Sequence, residues 1–157
     1  MLQTLRRRLQ GEREGGFTLI ELMVVVLIIA ILIATAIPTF LGARTRAQDR
    51  AAQASLRNAL VAAKSIYTDT QSYATAEGAG LTAVEPSLTY KAKGTASTGP
   101  NDISADGTSN TSQWAGAVLS ASGTCFWIKD SVSTGTTYGT GATCTGTAAT
   151  AAAQPRW

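Results

Sequence analysis

The residue best placed to do chemistry in this chain is Glu21, a lone carboxylate in an otherwise uncharged apolar run from Phe17 to Leu41. A carboxylate in apolar surroundings is unfavourable unless an opposite charge lies within reach, so Glu21 needs a partner. The first turn of a helix meets part of that need, because the helix macrodipole favours a negative charge there. The sequence therefore predicts charge pairing as the chemistry of Glu21.

No catalytic set is apparent elsewhere. The chain has 157 residues and no histidine, which removes the commonest general base and a common metal ligand. We find no Ser-His-Asp set, phosphate-binding glycine loop or zinc-ligand spacing. Asp102 and Asp106 weakly suggest calcium, but a solvated turn is the favoured interpretation. The sequence thus predicts a protein that is not an enzyme and that binds no metal or other cofactor.

The charge balance does not favour nucleic acid as the main partner. The formal net charge is +3, and part of it lies in the first sixteen residues. A basic row follows the apolar run, and it predicts a solvated helix face or contacts with acidic groups of a neighbour. Binding of DNA by this row is a weaker alternative. The row consists of Arg44, Arg46, Arg50, Arg57 and Lys64.

The apolar run must form a helix long enough to cross a membrane. As a helix it would span about 37 Å at ~1.5 Å per residue. One interpretation is a plain single-pass anchor, which leaves Glu21 unexplained. A second is a secretory signal cut after Ala36, which would release a soluble binding domain that starts at Ile37. Both remain open at this point.

A third interpretation comes from residues 16–23, Gly-Phe-Thr-Leu-Ile-Glu-Leu-Met, which closely resemble the processing motif of type IV prepilins. The resemblance implies that residues 1–16 are a leader that a membrane-bound prepilin peptidase removes after Gly16. It also implies methylation of the new amine of Phe17, and retention of residues 17–41 as a transmembrane and filament-core helix. Glu21 would then pair with the amine of its own chain or of a neighbouring subunit, and the family favours the neighbour, which sets the register of the filament.

The same resemblance implies a function. The chain would be a structural subunit that forms a helical homo-oligomer with the help of an ATP-driven pilus assembly machinery. It would reside in the cytoplasmic membrane first and then in an extracellular pilus for adhesion, twitching motility or DNA uptake. A pseudopilin of a type II secretion or competence system carries the same motif, so that alternative stays open.

The expected fold is α+β and pilin-like: one long helix, about residues 17–68, packed on a small antiparallel sheet in a head formed by residues 42–157. Apolar residues between Ala52 and Tyr67 recur every three or four positions, which predicts one buried helix face. Pro38 removes a backbone donor and clashes with the preceding turn, which predicts a kink or unwinding near residues 34–38.

Strands are predicted over residues 113–120 and 124–130, and more weakly over 102–107 and 136–138. Residues 72–87 are predicted to form a loop with short helical turns, one of them entered at Glu85-Pro86. Cys125 and Cys144 follow an export signal, which predicts one disulfide in an oxidising compartment. The stretch from Cys125 to Asp130 also resembles pilins of Gram-positive bacteria.

Overall fold

The structure, a computed structural model, describes residues 16–157. The chain divides into two compact units, one ending at Leu41 and one from Gly42 to Trp157. Helix α1 spans Leu19–Thr70 and contributes residues to both. It begins and ends two residues later than predicted.

Helix α1 continues through Pro38 without interruption. The predicted unwinding of residues 34–38 is therefore absent from this structure, and the kink stays a prediction. Two threonine hydroxyls bond to carbonyl groups beside the proline: Thr39 Oγ1 donates to the carbonyl oxygen of Ala36 at 2.8 Å, and Thr35 Oγ1 donates to that of Leu32 at 3.0 Å. Neither bond reaches the carbonyl of Ala34, which loses its donor to Pro38, and back-bonding of this kind often bends a helix.

The second unit contains one five-stranded sheet in the order β1-β2-β3-β4-β5. Its first two strands pair in parallel, and every other neighbouring pair is antiparallel. The α+β, pilin-like fold is thus confirmed, with one parallel pair in a sheet predicted to be antiparallel. The strands are β1 (Thr89–Ala92), β2 (Asp102–Asp106), β3 (Gln113–Leu119), β4 (Cys125–Ser131) and β5 (Gly135–Gly141).

The core lies between α1 and one face of this sheet, and the predicted apolar helix face is the face that is buried. Gly116 of β3 permits α1 to lie close to the sheet, because a Cβ at this position would lie 2.7 Å from the Trp114 ring and 3.1 Å from Leu56 of α1. The core residues from α1 include Ala52, Leu56, Ala59, Leu60, Ala63 and Ile66, and those from the sheet include Ile103, Trp114, Val118, Phe126 and Ile128.

The opposite face of the sheet carries a second, smaller cluster, as the alternation of the sequence predicts. Ala115, Ala117, Cys125, Cys144 and Ala149 are buried there. A short helix, α3 (Gly146–Ala149), supplies Ala149 to this cluster and was not predicted.

A strap of residues after α3 crosses the edge of β5. Tyr138 and Gln154 form a bridge in which each backbone N–H donates to the other carbonyl, at 2.7 and 2.9 Å. The strap ends at Trp157, whose indole N–H is shared between the carbonyl oxygens of Trp127 and Gly139 at 2.9 and 3.0 Å. The Trp157 ring packs against Phe126 and Tyr138 on the core side of the sheet. The strap therefore passes from one face of the sheet to the other.

Two predictions for the head were wrong. The predicted turn at Glu85-Pro86 does not begin a helix but follows one, α2 (Gly78–Val84). A residue before proline is disfavoured in α-helix, and Glu85 ends α2 with φ −130° and ψ 83°. The weakly predicted strand over residues 102–107 is confirmed as β2, so the alternative expectation of a solvated turn at Asp102 and Asp106 was the wrong one, and Asp106 is buried.

Candidate processing and assembly site

The first unit presents an unusually large apolar surface. All but three of the exposed large hydrophobic side chains among the described residues lie between Phe17 and Leu41. By length and composition α1 is long and apolar enough to cross a membrane, and its most apolar stretch has no buried residue. A soluble monomer rarely exposes a continuous apolar surface of this kind. This segment therefore requires a lipid or protein environment.

Gly16 and Phe17 precede the helix and are fully accessible. Phe17 is exposed to 71%, and a Cβ at Gly16 would meet no atom within 4 Å. Both residues lie outside any helix or strand and are exposed, so the peptide bond between them is accessible just ahead of α1.

Glu21 forms the N-terminal cap of α1 together with Thr18. The Glu21 carboxylate accepts bonds from the backbone N–H of Thr18 at 2.9 Å and from its hydroxyl at 2.6 Å. The Glu21 N–H donates back to Thr18 Oγ1 at 3.3 Å. This reciprocal arrangement is a capping box, which satisfies backbone donors that have no partner inside the helix. Phe17 and Glu21 also line one shallow groove, with Ile20, Val24 and Val25.

Thr18 is the site residue that our sequence analysis missed. The signal was present, because threonine followed three residues later by glutamate at the start of an apolar run is the capping-box pattern. In the uncut chain Phe17 has no free amine, and Thr18 fills the role of Glu21's partner. Cleavage after Gly16 would place an ammonium one residue from Thr18 and so beside a carboxylate that is already oriented.

Two residues of the basic row, Arg57 and Lys64, make contacts within the head. Arg57 lies over the Trp157 ring, 4.8 Å from its centroid. Lys64 donates to Thr136 Oγ1 at 3.2 Å and forms an ion pair with Asp130 at 2.9 Å. Only the arginines nearer the start of the row, Arg44, Arg46 and Arg50, are exposed without such a described role. A contact with nucleic acid is therefore less well supported than the sequence alone indicated.

Asp130 is the centre of a buried network that joins α1, the loop after it and the sheet. Besides Lys64, it accepts bonds from the hydroxyls of Tyr73 at 2.7 Å and Thr136 at 2.6 Å. Burial opposes ionisation of Asp130, but the bonds from Thr136, Lys64 and Tyr73 outweigh it and hold its pKa below the usual range. Burial, together with the bond to Asp130, raises the pKa of Tyr73.

The two carboxylates once considered for calcium are paired within the protein. Asp102 accepts bonds from Thr98 and lies 2.7 Å from Lys91 Nζ. Asp106 accepts the N–H of Ser109 at 3.0 Å, and Lys93 Nζ lies 3.8 Å away. The second oxygen of each carboxylate is buried without a hydrogen-bond partner among the described residues.

Cys125 and Cys144 form a disulfide, with their Cα atoms 5.5 Å apart. The bond links β4 to the segment between β5 and α3 on the outer face of the sheet. Trp127 lies beside it and packs over Gly141, where any side chain would collide with the ring. Position 141 therefore requires glycine, because the Trp127 ring lies too close to leave room for a side chain.

Comparison with known proteins concerns the first part of the chain. Residues 13–37 match the family model described as the prokaryotic N-terminal methylation motif. No curated protein and no solved structure was found to match the chain. The motif supports a type IV pilin or pseudopilin-like protein, and the apolar helix is consistent with anchoring in a membrane before assembly. The chain thus carries the leader and methylation motif of a type IV pilin-like prepilin.

Proposed function

We propose that this chain is the structural subunit of a type IV pilus and has no enzymatic activity. The observation that carries the proposal is the exposed apolar surface of residues 17–41, most of which lies within the methylation motif at residues 13–37. In the membrane, lipid covers this surface. In a filament, the same helix of neighbouring copies covers it, so the hydrophobic driving force is nearly balanced and specific contacts decide assembly.

Glu21 supplies the specific contact. After a prepilin peptidase cuts the Gly16–Phe17 bond, the methylated amine of Phe17 carries a positive charge at an apolar helix end. The carboxylate of a neighbouring subunit stabilises this charge only at one axial offset, which makes the pair a register device. The capping box keeps Glu21 oriented for that role, because Thr18 holds one of its oxygens and leaves the other available.

The test has two parts. Mass spectrometry of the mature chain should give a first residue that is methylated Phe17, whereas a start at Ile37 would contradict the proposal.

The second part uses variants of Glu21. Glu21→Gln keeps the shape of the side chain and removes its charge, and Glu21→Ala removes both. Both variants should be processed normally, yet sheared filaments should fall about tenfold or more, since a hydrogen bond to a charged group contributes about 1.5–3 kcal/mol. Glu77→Gln, at a half-buried head position, is the control.

Normal filaments from Glu21→Ala would contradict the proposal that Glu21 sets the register.

Electron microscopy separates a pilus subunit from a pseudopilin. Long shear-released fibres that contain this chain support a pilus, whereas a short periplasm-spanning assembly would identify a pseudopilin of a secretion or competence system. Loss of adhesion, twitching motility or DNA uptake in the Glu21 variants would then assign the role of the filament.

A further inference from the structure

One side of helix α1 is basic where the helix belongs to the head. Arg46 and Lys64 lie about five full helical turns apart at ~3.6 residues per turn, and Arg50 and Arg57 lie between them at spacings of four and seven. These four residues therefore share one side of α1. Lys64 donates to Thr136 of β5, which places this side next to β5, and we call it the basic side.

The side of α1 that faces α2 carries the opposite charge. Asn58, Ala62, Ser65 and Asp69 recur every three or four positions, so they share this second side. The first three line a groove together with Glu85, the residue that ends α2. Glu85 therefore lies beside this side of the helix, and Asp69 lies one turn beyond the groove. We call the surface that carries these two carboxylates the acidic side.

The packing of one head leaves charges on both sides unpaired. The ion pairs described in the head join lysines to carboxylates of β2 and β4. Arg46, Arg50 and Asp69 are exposed and belong to none of these pairs. Ser87 donates its backbone N–H and its hydroxyl to one carboxylate oxygen of Glu85, at 3.2 and 2.6 Å, which leaves the other oxygen available. Two arginines and two carboxylates thus remain to be paired.

Within one chain these charges lie too far apart to pair with each other. Arg50 precedes Asn58, which lies beside Glu85, by about 12 Å along the axis, and it precedes Asp69 by about 29 Å, at ~1.5 Å per residue. Both distances exceed the Debye length of about 8 Å at physiological salt. Copies that are anchored in one membrane by the same segment run parallel, so a neighbour displaced along the axis by such a distance brings the two sides together.

We propose that the basic side of α1 in one copy contacts the acidic side of another copy of this chain. Charge complementarity assigns the occupant, because Arg46 and Arg50 then meet Asp69 and Glu85 of the neighbour. The two sides are different surfaces of the same head, so the contact is head-to-tail and extends into a helical filament. The inference rests on the proposed filament function, and it adds a contact between heads to the Glu21 pair.

Charge reversal on each side tests the contact. Arg46→Glu/Arg50→Glu should reduce sheared filaments about tenfold, because carboxylates of neighbouring copies then face each other. Asp69→Lys/Glu85→Lys should cause a similar loss, because it places cations against the basic side. The variant that carries all four substitutions should recover most of the loss, since the same pairs form with their signs exchanged. A fourfold variant as poor as either double variant would overturn the inference.

Arg44 offers a matched control on the same helix. It lies about five turns before Ala62 and so on the acidic side of α1, where a negative charge is favourable. Arg44→Glu should therefore assemble normally, whereas Arg50→Glu should not. Equal losses from the two variants would overturn the inference and would indicate that the arginines bind anionic lipid headgroups.

A cross-link within assembled filaments gives an independent readout that does not disturb the charges. Arg46→Lys/Arg50→Lys keeps both charges and supplies amines, which a carbodiimide couples to a carboxylate in direct contact. Peptide mapping should find position 46 or 50 linked to Asp69 or Glu85 in covalent oligomers, whereas Arg44→Lys should give no such link. Filaments without a link from position 46 or 50 to either carboxylate would overturn the inference.

The outcomes separate this contact from the proposed function. Normal filaments from Arg46→Glu/Arg50→Glu would contradict the contact and leave the proposed function intact. A wild-type chain that never forms filaments would contradict the proposed function, and this inference would fall with it.

Discussion

Asp130→Asn should destabilise the head by about 2–3 kcal/mol. The Asp130 side chain is 8% exposed, and its carboxylate accepts bonds from Tyr73, Thr136 and Lys64. Hydrogen bonds to a charged group contribute about 1.5–3 kcal/mol each. Asparagine keeps one acceptor oxygen, and Lys64, whose side chain is 47% exposed, can return to water. The net loss is therefore smaller than the sum of the three bonds.

Thermal unfolding of the processed chain in detergent measures this loss, with tryptophan fluorescence as the probe because all three tryptophans lie in the head. At roughly 4 °C per kcal/mol for a head of this size, the midpoint should fall by about 8–12 °C. Asp69→Asn, an exposed carboxylate at the end of α1, is the matched control and should shift the midpoint by less than about 2 °C.

The dependence on pH makes the test specific. The pKa of Asp130 is lower in the folded state than in the unfolded state, so its contribution is complete above the unfolded pKa and is lost as the pH falls through the folded pKa. The gap between wild type and Asp130→Asn should thus be constant at neutral pH and shrink below about pH 4. A midpoint shift under about 2 °C, or a gap that persists in acid, would refute the reasoning.

Two further predictions concern the outer face of the sheet. Replacing Cys125 and Cys144 together with serine should lower the free energy of unfolding by about 3 kcal/mol, because the bond closes a loop with a sequence separation of 19; denaturant titration measures this, and an unchanged midpoint would contradict it. Gly141→Ala should cost about 1–3 kcal/mol and shift the emission of Trp127, since the added methyl collides with that ring. Gly99→Ala, where a Cβ meets no atom within 4 Å, is the control and should change the free energy of unfolding little.

Local patterns predicted the elements that carry their own periodicity. The three- and four-residue spacing of α1 and the alternation of β3 and β4 identified both the elements and their buried faces. A short helical turn was predicted within residues 72–87, but the bounds of α2 were not, because its sequence, Gly-Ala-Gly-Leu-Thr-Ala-Val, has poor helix propensity, and the helix forms where Leu81 can be buried. Strand β1 was missed because its four residues, Thr-Tyr-Lys-Ala, are too few for their alternation to be distinctive, and the strand depends on pairing with β2.

The candidate site was largely predictable because it is local in sequence. The predicted cleavage position, the Glu21 carboxylate and its capping box with Thr18 all lie within residues 16–21. The burial of Asp106 was not predictable, because its partners, Lys93 and Ser109, come together only through the fold of the sheet. The same holds for Asp130, whose partners lie on α1, in the loop after it and on β5. When the partners of a charged residue lie far along the chain, the sequence alone does not distinguish that residue from one on the surface.

The strap over β5 has a consequence for crowding. An open strand edge offers unpaired N–H and C=O groups to any other chain, and this hazard grows with local concentration. The proposed filament would hold its heads at a high local concentration. By bonding Gln154 to Tyr138 and anchoring Trp157, the chain occupies part of that edge itself. Neighbouring heads can then touch through side chains without merging their sheets, which favours an ordered polymer over an amyloid-like aggregate.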